Sequence, residues 1–413
     1  MSSKAAPITL ASFVPAPGDI NPWAAIETAY PQWVEAMHAT EQDRFYHSEG
    51  DVWTHTKMVV DSLIAHPWWH ELDPVGQRVT WLTALLHDTG KPATTVHEDN
   101  GRISSRGHSQ RGAQDARVWL WQEGLPMAER EAVCTLIGMH QMPFYTMTKD
   151  DYAVRLKTWS RMVRLDWLGT IAMADARGRR TDPRSMWQNT IDAVELFRLG
   201  CEDLGIWGKA TPAASAYTWQ KFLNSPDTVA PEYPIRRPDG SQVVLLSGLP
   251  GMGKNHWADK HRPDLPVISY DDMREAMGVG HGQKTGEVVH AVWEQAKELL
   301  RQKKDFVWNA THISPTMRKK ALDLLWNYDA NVTIVHLETS TPQQWRQQNR
   351  NRAASVPEKA LDELMLRWEP PAYTEAEQVQ YWVDGVERTA QMEHFINIGQ
   401  TQSASLEYEY AHS

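Results

Sequence analysis

Six histidine and aspartate residues in the first half of the chain have side chains that can ligate metals. They are His55, His87, Asp88, His108, His140 and Asp175. Consecutive residues of a helix point about 100° apart, so His87 and Asp88 can face one metal each, or Asp88 can bridge two. Ligands in this number can hold two metals and leave positions for water and a phosphate oxygen. Lys91, in the segment HDTGK, follows one turn later and could hold that phosphate.

The competing interpretation is that each histidine is a separate core or surface residue. It suits any one of them alone, but six such residues in order at the ends of predicted helices favour a shared site inside a helical bundle. We expect the remaining histidines of this region to be structural or exposed, namely His47, His66, His70 and His97.

A glycine-rich loop with a lysine begins the second half of the chain. Gly248, Gly251 and Gly253 precede Lys254, after the apolar run VVLLS and before a helical pattern. Such glycines let backbone N–H groups face phosphate oxygens, and the lysine reaches the β- and γ-phosphates of a nucleotide. Asn255 stands where Ser or Thr normally ligates Mg²⁺. Either its amide oxygen takes the ion or its water more weakly, or an acidic residue elsewhere holds the ion.

Polar residues follow the next two predicted strands. Asp271, Asp272 and Arg274 come after VISY, and Asn309 and Thr311 end the segment FVWNATH. A carboxylate at this edge of a sheet can take the proton of an acceptor hydroxyl. The alternative role for such an aspartate is to cap a helix N-terminus. Arg274 would bind a phosphate of the acceptor.

Three arginines lie on a predicted helix after the fourth strand, in the segment TPQQWRQQNRNR. They are Arg346, Arg350 and Arg352. Arginines there suit a lid that closes on a triphosphate. The alternative is a solvated basic helix.

The pattern of apolar residues defines the elements that must position these groups. From Trp33 to Trp207 the apolar residues repeat at three- and four-residue spacing, which predicts an all-α bundle without strands. After a Pro-rich stretch, short β-branched runs alternate with helices and predict an α/β domain with a parallel sheet. The predicted parts are an N-terminal arm 1–32, a helical domain 33–207, a linker 208–238, an α/β domain 239–399 and a flexible tail 400–413.

Composition excludes several classes of protein. The 413 residues include 42 Lys and Arg against 52 Asp and Glu, and this net charge of −10 excludes coating of nucleic acid by bulk charge. Two cysteines, Cys134 and Cys201, cannot form a disulfide framework or a thiolate zinc site. The chain starts without the apolar core of a signal peptide, and no stretch reaches 18 apolar residues. We therefore expect a cytoplasmic protein without a membrane partner.

The metal-ligand candidates and their surroundings resemble the HD phosphohydrolase superfamily. The matching segments are HDTGK, RGHSQRGA and MADARGR, and the resemblance covers roughly residues 50–200. The most similar variant is the one fused to bacterial tRNA nucleotidyltransferases, which removes 2′-, 3′- and 2′,3′-cyclic phosphates. It implies two transition-metal ions such as Mn, Co, Ni, Zn or Cu. Ser109 stands where such domains often have Glu, and Arg177 or Arg179 would contact phosphate.

The second half resembles the 5′-OH polynucleotide kinase family over about residues 242–397. The shared pattern is a P-loop, then DDxxR, then an arginine-bearing lid and a WEPP…EA segment from Trp368 to Glu375. The resemblance implies ATP or another NTP with Mg²⁺ as donor. It also implies Asp271 as general base, Arg274 as the clamp on the acceptor phosphate, and Arg350 and Arg352 on the donor phosphates.

Together the two halves resemble the bacterial HD–polynucleotide-kinase fusion proteins. The implied function is repair of RNA or DNA ends, in which the kinase phosphorylates a 5′-OH and the HD module removes 3′-phosphate or opens a 2′,3′-cyclic phosphate. The product ends suit a separate ligase. Two alternatives stay open. One is an HD nucleotidase fused to a small-molecule kinase of nucleoside type, and the other is an HD hydrolase regulated by a P-loop that senses NTP without transferring phosphate.

Overall fold

The computed structural model describes residues 8–181, 184–280, 283–352 and 355–396. The chain divides into two compact units, the first containing the chain up to Thr211 together with Phe395 and Ile396, and the second containing Pro212 to His394. The predicted tail 400–413 lies outside the described residues. No helix in the described part of the chain is long and apolar enough to cross a membrane.

The first unit is helical, as the apolar spacing predicts. After a 3₁₀ turn at Leu10–Phe13, its helices are α1 (Trp23–Ala29), α2 (Pro31–His38), α3 (Val52–Ile64), α4 (Pro67–His70), α5 (Pro74–Leu86), α6 (Lys91–Thr94), α7 (His108–Gln122), α8 (Met127–Met139), α9 (Pro143–Thr146), α10 (Tyr152–Trp159), α11 (Leu165–Arg177) and α12 (Arg184–Asp203). Side chains that cap the helix N-terminus fix where α3 and α5 begin. Asp51 caps α3 by accepting from Thr54 N at 2.7 Å, and Asp73 caps α5 by accepting from Gly76 N at 2.7 Å.

Helix α11 is the central element of this unit. Its residues from Leu165 to Ala176 are all buried, and it packs against α3, α5, α8 and α12. A helix that is buried on all sides must carry small or apolar residues around its whole circumference. One of its polar exceptions is the metal-ligand candidate Asp175, which is 1% exposed.

Two expectations for the first unit are wrong. Five prolines between Pro7 and Pro31 predict a loose N-terminal arm, but its described part is packed into the core, where Leu10 and Ile26 are completely buried. The predicted absence of strands is also wrong, since β1 (Val96–His97) pairs antiparallel with β2 (Ile103–Ser104). Strands of two residues are too short to show the alternation that identifies a strand in a sequence.

The second unit is an α/β domain. Its elements are α13 (Ala216–Asn224), β3 (Gln242–Ser247), α14 (Lys254–His261), β4 (Val267–Ser269), α15 (Tyr270–Ala276), α16 (Thr285–Arg301), β5 (Phe306–Asn309), α17 (Pro315–Trp326), β6 (Asn331–Glu338), α18 (Pro342–Arg350), α19 (Glu358–Met365), β7 (Gln378–Val383), β8 (Val386–Glu387) and α20 (Thr389–Ile396). Helix α13 lies within the predicted linker, which is therefore partly ordered.

Among the described residues of this unit, one sheet has the strand order β4-β5-β3-β6-β7-β8. Its pairs are parallel except that β8 runs antiparallel to β7, so the predicted all-parallel sheet is mixed. The register aligns Leu246 of β3 with Asn309 of β5, and Asn309 with Ser269 of β4. The segments after these three strands therefore begin at the same edge of the sheet, where ligands of open α/β sheets bind.

Candidate metal centre and phosphate-binding loop

The first unit brings all six predicted metal-ligand candidates together. His55 lies on α3, the pair His87-Asp88 follows α5, His108 begins α7, His140 follows α8 and Asp175 lies on α11. His55 Nε2 is 3.4 Å from His87 Nε2 and 3.2 Å from Asp175 Oδ1. His87 Nε2 is 3.2 Å from Asp88 Oδ2, and His108 Nε2 is 3.3 Å from Asp88 Oδ1. Every one of the six residues is buried.

The histidines of the cluster share one hydrogen-bond pattern. The Nδ1 atoms of His87, His108 and His140 lie 2.7–2.8 Å from the carbonyl oxygen three residues earlier in the chain. A carbonyl only accepts, so each Nδ1 carries a proton, and in the neutral ring, the form that binds a metal, Nε2 presents its lone pair to the cluster. His55 has the same orientation, because its Nδ1 lies 2.8 Å from a carboxylate oxygen of Glu49. This is the arrangement of imidazoles that ligate a metal.

The separations within the cluster fit metal ligation. Two ligand atoms each about 2.1 Å from one metal, at 90–109° to each other, are about 3.0–3.4 Å apart. The Nε2–Nε2 and Nε2–carboxylate distances given above, 3.2–3.4 Å, lie in that range. Among the described residues, His140 Nε2 is buried without a hydrogen-bond partner. A cation would satisfy these converging lone pairs, so the residues fit the metal centre that the resemblance implies.

Asp88 divides the ligands into two groups. One group of mutually close ligand atoms is His55, His87 and Asp88, and a second is Asp88, His108 and His140. Because the two oxygens of Asp88 face different histidines, the carboxylate can bridge two ions. Asp175 joins the first group through its contact with His55.

Charges around the cluster keep its carboxylates ionised. Burial alone would raise the pKa of Asp88, but His87 and Lys91 hold it well below its usual value. Burial likewise opposes ionisation of Asp175, and the Arg179 guanidinium with His55 holds the pKa of this carboxyl well below its usual value. Burial lowers the pKa of His140 to about 3, so its imidazole is neutral and able to ligate.

Two cations stand beside the carboxylates. Lys91 Nζ is 2.7 Å from Asp88 Oδ2 and donates to Gln42 Oε1 at 2.5 Å. Arg179 Nη2 donates to Asp175 Oδ1 at 2.6 Å, whereas Arg177 is exposed. Of the two arginines considered from the sequence, Arg179 is therefore the one at the cluster. Both cations line a cleft of about 330 Å³ that His108 also lines, where they can meet a phosphate.

Sequence reasoning missed the loop that holds His55. His47 Nδ1 and His55 Nδ1 lie 2.9 and 2.8 Å from the same oxygen of Glu49. Glu49 is buried among these rings, and hydrogen bonds from the two histidines hold its pKa below the usual value against the opposing effect of burial. Nothing in the spacing of this segment indicates the contact, because the loop is positioned by its contact with a distant part of the chain, in which Ser48 N donates to Arg180 O at 2.8 Å.

A glycine brings two of the ligand-bearing segments together. A Cβ at Gly90 would lie 2.2 Å from the carbonyl oxygen of His108 and 2.6 Å from the amide nitrogen of Gly112. Both contacts are with backbone, which cannot move aside as a flexible side chain would. The absence of a side chain at Gly90 is therefore what allows the start of α7 to approach Asp88.

The glycine-rich loop of the second unit has the backbone that phosphate binding requires. Gly248, Gly251 and Gly253 have φ angles of 143°, 84° and 83°, which residues with a Cβ rarely adopt. Lys254 is the first residue of α14, and its Nζ donates to the carbonyls of Gly248 and Leu249 at 2.8 and 2.9 Å. Burial, and then the charge of Arg352, lower the pKa of Lys254 to about 7. The helix N-terminus and the lysine thus frame one anion site.

Asn255 has a partner in the structure. Its side-chain oxygen accepts a hydrogen bond at 2.8 Å from the amide of Asn309, the last residue of β5. This bond joins the first turn of α14 to the neighbouring strand. Asn309, one of the polar residues predicted at this edge of the sheet, therefore supports the first turn of the loop helix.

The predicted general base Asp271 and the predicted clamp Arg274 both lie on α15, which follows β4 directly. Ser269, not an aspartate, caps this helix by accepting from Asp272 N at 3.0 Å. Asp271 is therefore not the cap, and its side chain is 71% exposed. Arg274 Nη1 is 3.5 Å from Asp271 Oδ1, so the two residues form one charged pair. The Asp271 charge also raises the pKa of Lys254, against the larger effect of burial.

The three arginines of the predicted lid have different surroundings. Arg346 pairs with Glu358 and Asp362 of α19, so it holds two helices together. Arg350 is 54% exposed and 3.6 Å from Glu358. Arg352 lies against the loop, with Cδ 3.8 Å from the position that a Cβ on Gly251 would take. Arg352 is the best placed of the three to contact a donor phosphate.

Helix α18 is attached to the loop, and an aromatic pocket lies beside it. The Trp345 indole donates to the carbonyl of Pro250 at 2.7 Å. Trp257 and His261 of α14 stack at 5.1 Å, and Trp382 meets Trp257 edge to face at 5.9 Å. These three rings line a cavity of about 280 Å³ that also reaches Gly253. A flat base attached to a phosphate in the loop would fit such a pocket.

One family model matches part of the second unit, and several solved structures are similar to part of this chain. The family model described as an AAA domain matches residues 243–371. A putative kinase of Chloroflexus aurantiacus is similar at 13% identity over 40% of this chain and 98% of its own, with a TM-score of 0.30. The APS kinase of Mycobacterium tuberculosis, solved with AMPPNP and APS, is similar at 13% identity over 40% and 99%, with a TM-score of 0.28. A gluconokinase of Sinorhizobium meliloti is similar at 14% identity over 43% and 100%, with a TM-score of 0.26.

The family match, the strand order and the loop geometry together define the second unit as a P-loop α/β domain. The prediction of such a domain is confirmed. Its fold implies an NTP with Mg²⁺ as ligand, bound at the loop that ends in Lys254.

Proposed function

We propose that the protein heals broken ends of RNA or DNA with two separate sites. In this proposal the second unit is an NTP-dependent 5′-OH polynucleotide kinase. The first unit is a metal-dependent phosphohydrolase of the HD type that removes 3′-phosphate and opens 2′,3′-cyclic phosphate. The observation that carries the proposal is the set of six buried ligand candidates, in which the Nδ1 atoms of His87, His108 and His140 each contact a carbonyl oxygen and leave Nε2 for a metal.

The kinase reaction follows from the groups around the loop. The acceptor hydroxyl oxygen forms a bond to the γ-phosphorus, the bond from that phosphorus to the β,γ-bridging oxygen breaks, and the hydroxyl proton passes to Asp271. Lys254 and Arg352 neutralise charge on the transferred group and the leaving diphosphate. Arg274, 3.5 Å from Asp271, holds the acceptor's phosphate so that its hydroxyl faces the carboxylate.

The hydrolase reaction uses the cleft of the first unit. Transition-metal ions held in this cluster would supply Lewis acidity and would lower the pKa of a bound water. His55, His87, Asp88 and Asp175 would hold one ion, and Asp88 would share the other with two further histidines, His108 and His140. Lys91 and Arg179, which line the cleft, neutralise the phosphate oxygens that face them.

The alternatives differ in what the second unit does. A small-molecule kinase would have the same loop but a different acceptor, and an NTP sensor would bind nucleotide without transferring it. Asp271 and Arg274 favour transfer, since a sensor needs no paired base and acceptor clamp. The Asp271 side chain is 71% exposed, which suits a large acceptor, because a polymer end can reach it from solvent.

The experiment measures both activities on one oligonucleotide with a 5′-OH and a 3′-phosphate. We expect label from γ-³²P-ATP at the 5′ end with Mg²⁺, and release of inorganic phosphate with a transition metal. Asp88→Ala should abolish phosphate release and leave labelling largely intact. Asp271→Ala should reduce labelling at unchanged ATP affinity, with Asp272→Ala from the same turn as its matched control.

Each result has a defined meaning. Labelling of nucleosides but not of oligonucleotides would support the small-molecule kinase. Tight ATP binding without transfer to either acceptor would support the sensor. Phosphate release that survives Asp88→Ala and needs only Mg²⁺ would refute the dinuclear centre.

A further inference from the structure

An exposed aromatic surface lies beside the metal cleft and has no part in the reactions above. It consists of Phe45, Tyr46 and Arg102, and we call it the aromatic platform. Phe45 and Tyr46 are 48% and 37% exposed, and their rings meet edge to face at 5.1 Å. The Arg102 guanidinium lies 5.7 Å from the centre of the Tyr46 ring. Adjacent exposed aromatic side chains rimmed by polar residues often mark a binding surface.

The platform is continuous with the cleft above the metal ligands. It lines a cavity of about 590 Å³ between the loop 41–46 and the β1–β2 hairpin. Asp43, Tyr46 and Ile103 line both this cavity and the cleft that holds Lys91 and His108. A ligand that starts at the metal centre and extends beyond one nucleotide therefore passes over Tyr46.

Hydrogen bonds hold the platform in place. Asp43 Oδ1 accepts from Phe45 N at 3.0 Å, and its Oδ2 accepts from Ile103 N at 3.3 Å and lies 3.6 Å from Arg102 Nε. One carboxylate thus ties the aromatic loop to the hairpin. These contacts fix the backbone of the loop that carries the rings, so less of the loop has to be ordered on binding.

We propose that the aromatic platform stacks the bases of a single-stranded nucleic acid whose 3′-terminal phosphate lies at the metal centre. This inference rests on the proposed hydrolase function and names its substrate as an oligonucleotide end. Aromatic rings and arginine planes stack any base, so the binding is independent of sequence. The two arginines that line the cavity are matched in charge by two acidic residues of the same lining, Glu41 and Asp43. We therefore expect base stacking to contribute more to the affinity for nucleic acid than contacts with its phosphates do.

The test compares 3′-phosphorylated single strands of one, two, three and six nucleotides with the metal-loaded full chain. We expect kcat/KM of phosphate release to rise from one to three nucleotides. Phe45→Ala should lower kcat/KM for the three-nucleotide substrate roughly 5- to 150-fold, which corresponds to the loss of one stacked base. It should leave hydrolysis of the mononucleotide within twofold, and Phe45→Trp should keep the rise. Tyr152→Ala, which removes a 37% exposed aromatic that lines neither cavity, is the matched control.

A second measurement does not depend on hydrolysis. Anisotropy of a labelled six-nucleotide strand should report weaker binding to Phe45→Ala. For the wild-type protein, the logarithm of affinity should fall with the logarithm of salt with a slope shallower than about −1.5, as for two phosphate contacts or fewer.

The outcomes separate the two proposals. If no substrate releases phosphate, the hydrolase proposal fails. The platform proposal is then tested only by whether Phe45→Ala weakens binding of the six-nucleotide strand in the anisotropy measurement. If phosphate is released but kcat/KM does not depend on length, or if Phe45→Ala affects the mononucleotide and the oligonucleotide equally, the platform proposal is overturned. Unchanged anisotropy in Phe45→Ala also overturns it.

Discussion

ATP binding to the second unit should take up about one proton at pH 8, because of the state of Lys254 before the nucleotide arrives. Burial and the charge of Arg352 lower the pKa of this lysine to about 7. At pH 8 about nine-tenths of the lysine is then neutral, and at pH 6 about one-tenth. A bound triphosphate favours the ammonium form strongly, since the opposite charge lies directly against it.

The magnitude follows from this linkage. Proton uptake on binding should be about 0.9 at pH 8 and about 0.1 at pH 6, and the Kd for ATP should rise about tenfold over that range. Tenfold corresponds to about 1.4 kcal/mol of binding free energy. Titration calorimetry in two buffers of different ionisation enthalpy measures the uptake directly.

Two variants serve as controls. Lys254→Arg should show no uptake by residue 254, because a guanidinium stays charged at these pH values. Protonation of the nucleotide itself is common to both proteins and cancels in the difference. Arg352→Ala removes a repulsive charge, so it should raise the pKa of Lys254 and reduce the uptake at pH 8. Equal uptake at pH 8 by the wild-type protein and Lys254→Arg would refute the reasoning.

Three further predictions test residues with different roles. Glu49→Gln should weaken metal binding to the first unit about 10- to 100-fold in a chelator competition, because it loosens the orientation of His55; an unchanged affinity would contradict this role. Arg318→Leu should destabilise the second unit by about 3–5 kcal/mol in denaturant unfolding, because it leaves the carboxylate of Glu375 without its buried partner. Trp382→Ala should raise the Kd for ATP with little change of kcat at saturating ATP, and a fall in kcat alone would place Trp382 elsewhere in the reaction.

Candidate site residues in regular helices could be identified from the sequence more reliably than those in loops. His55, His87 and His140 could be chosen because each lies on or directly after a helix, where spacing predicts which residues share a bundle interior. Glu49 could not be chosen, because a backbone contact with Arg180 positions its loop. The phosphate-binding loop is local in sequence, so Lys254 could be predicted from the motif alone.

The same distinction explains the errors in the fold. Prolines near the start of the chain suggest a loose arm, but the arm is fixed by the burial of Leu10 and Ile26, which composition does not reveal. The roles of Arg346 and Arg350 also depend on tertiary structure. Both belong to one arginine-rich segment, and the acidic residues of α19 decide which of them is engaged in holding helices together.

The close packing at Gly90 affects the geometry of the candidate metal cluster without changing any of its ligand side chains. Any side chain at this position would meet the backbone of His108 and Gly112, so relief of the clash would move His108 away from Asp88. A variant such as Gly90→Ala keeps all six ligands and still changes the spacing on which a shared carboxylate depends. Gly90 has no functional group, yet the space it leaves limits how far the six ligand candidates can be displaced from one another. A search for reactive side chains alone would not find this residue.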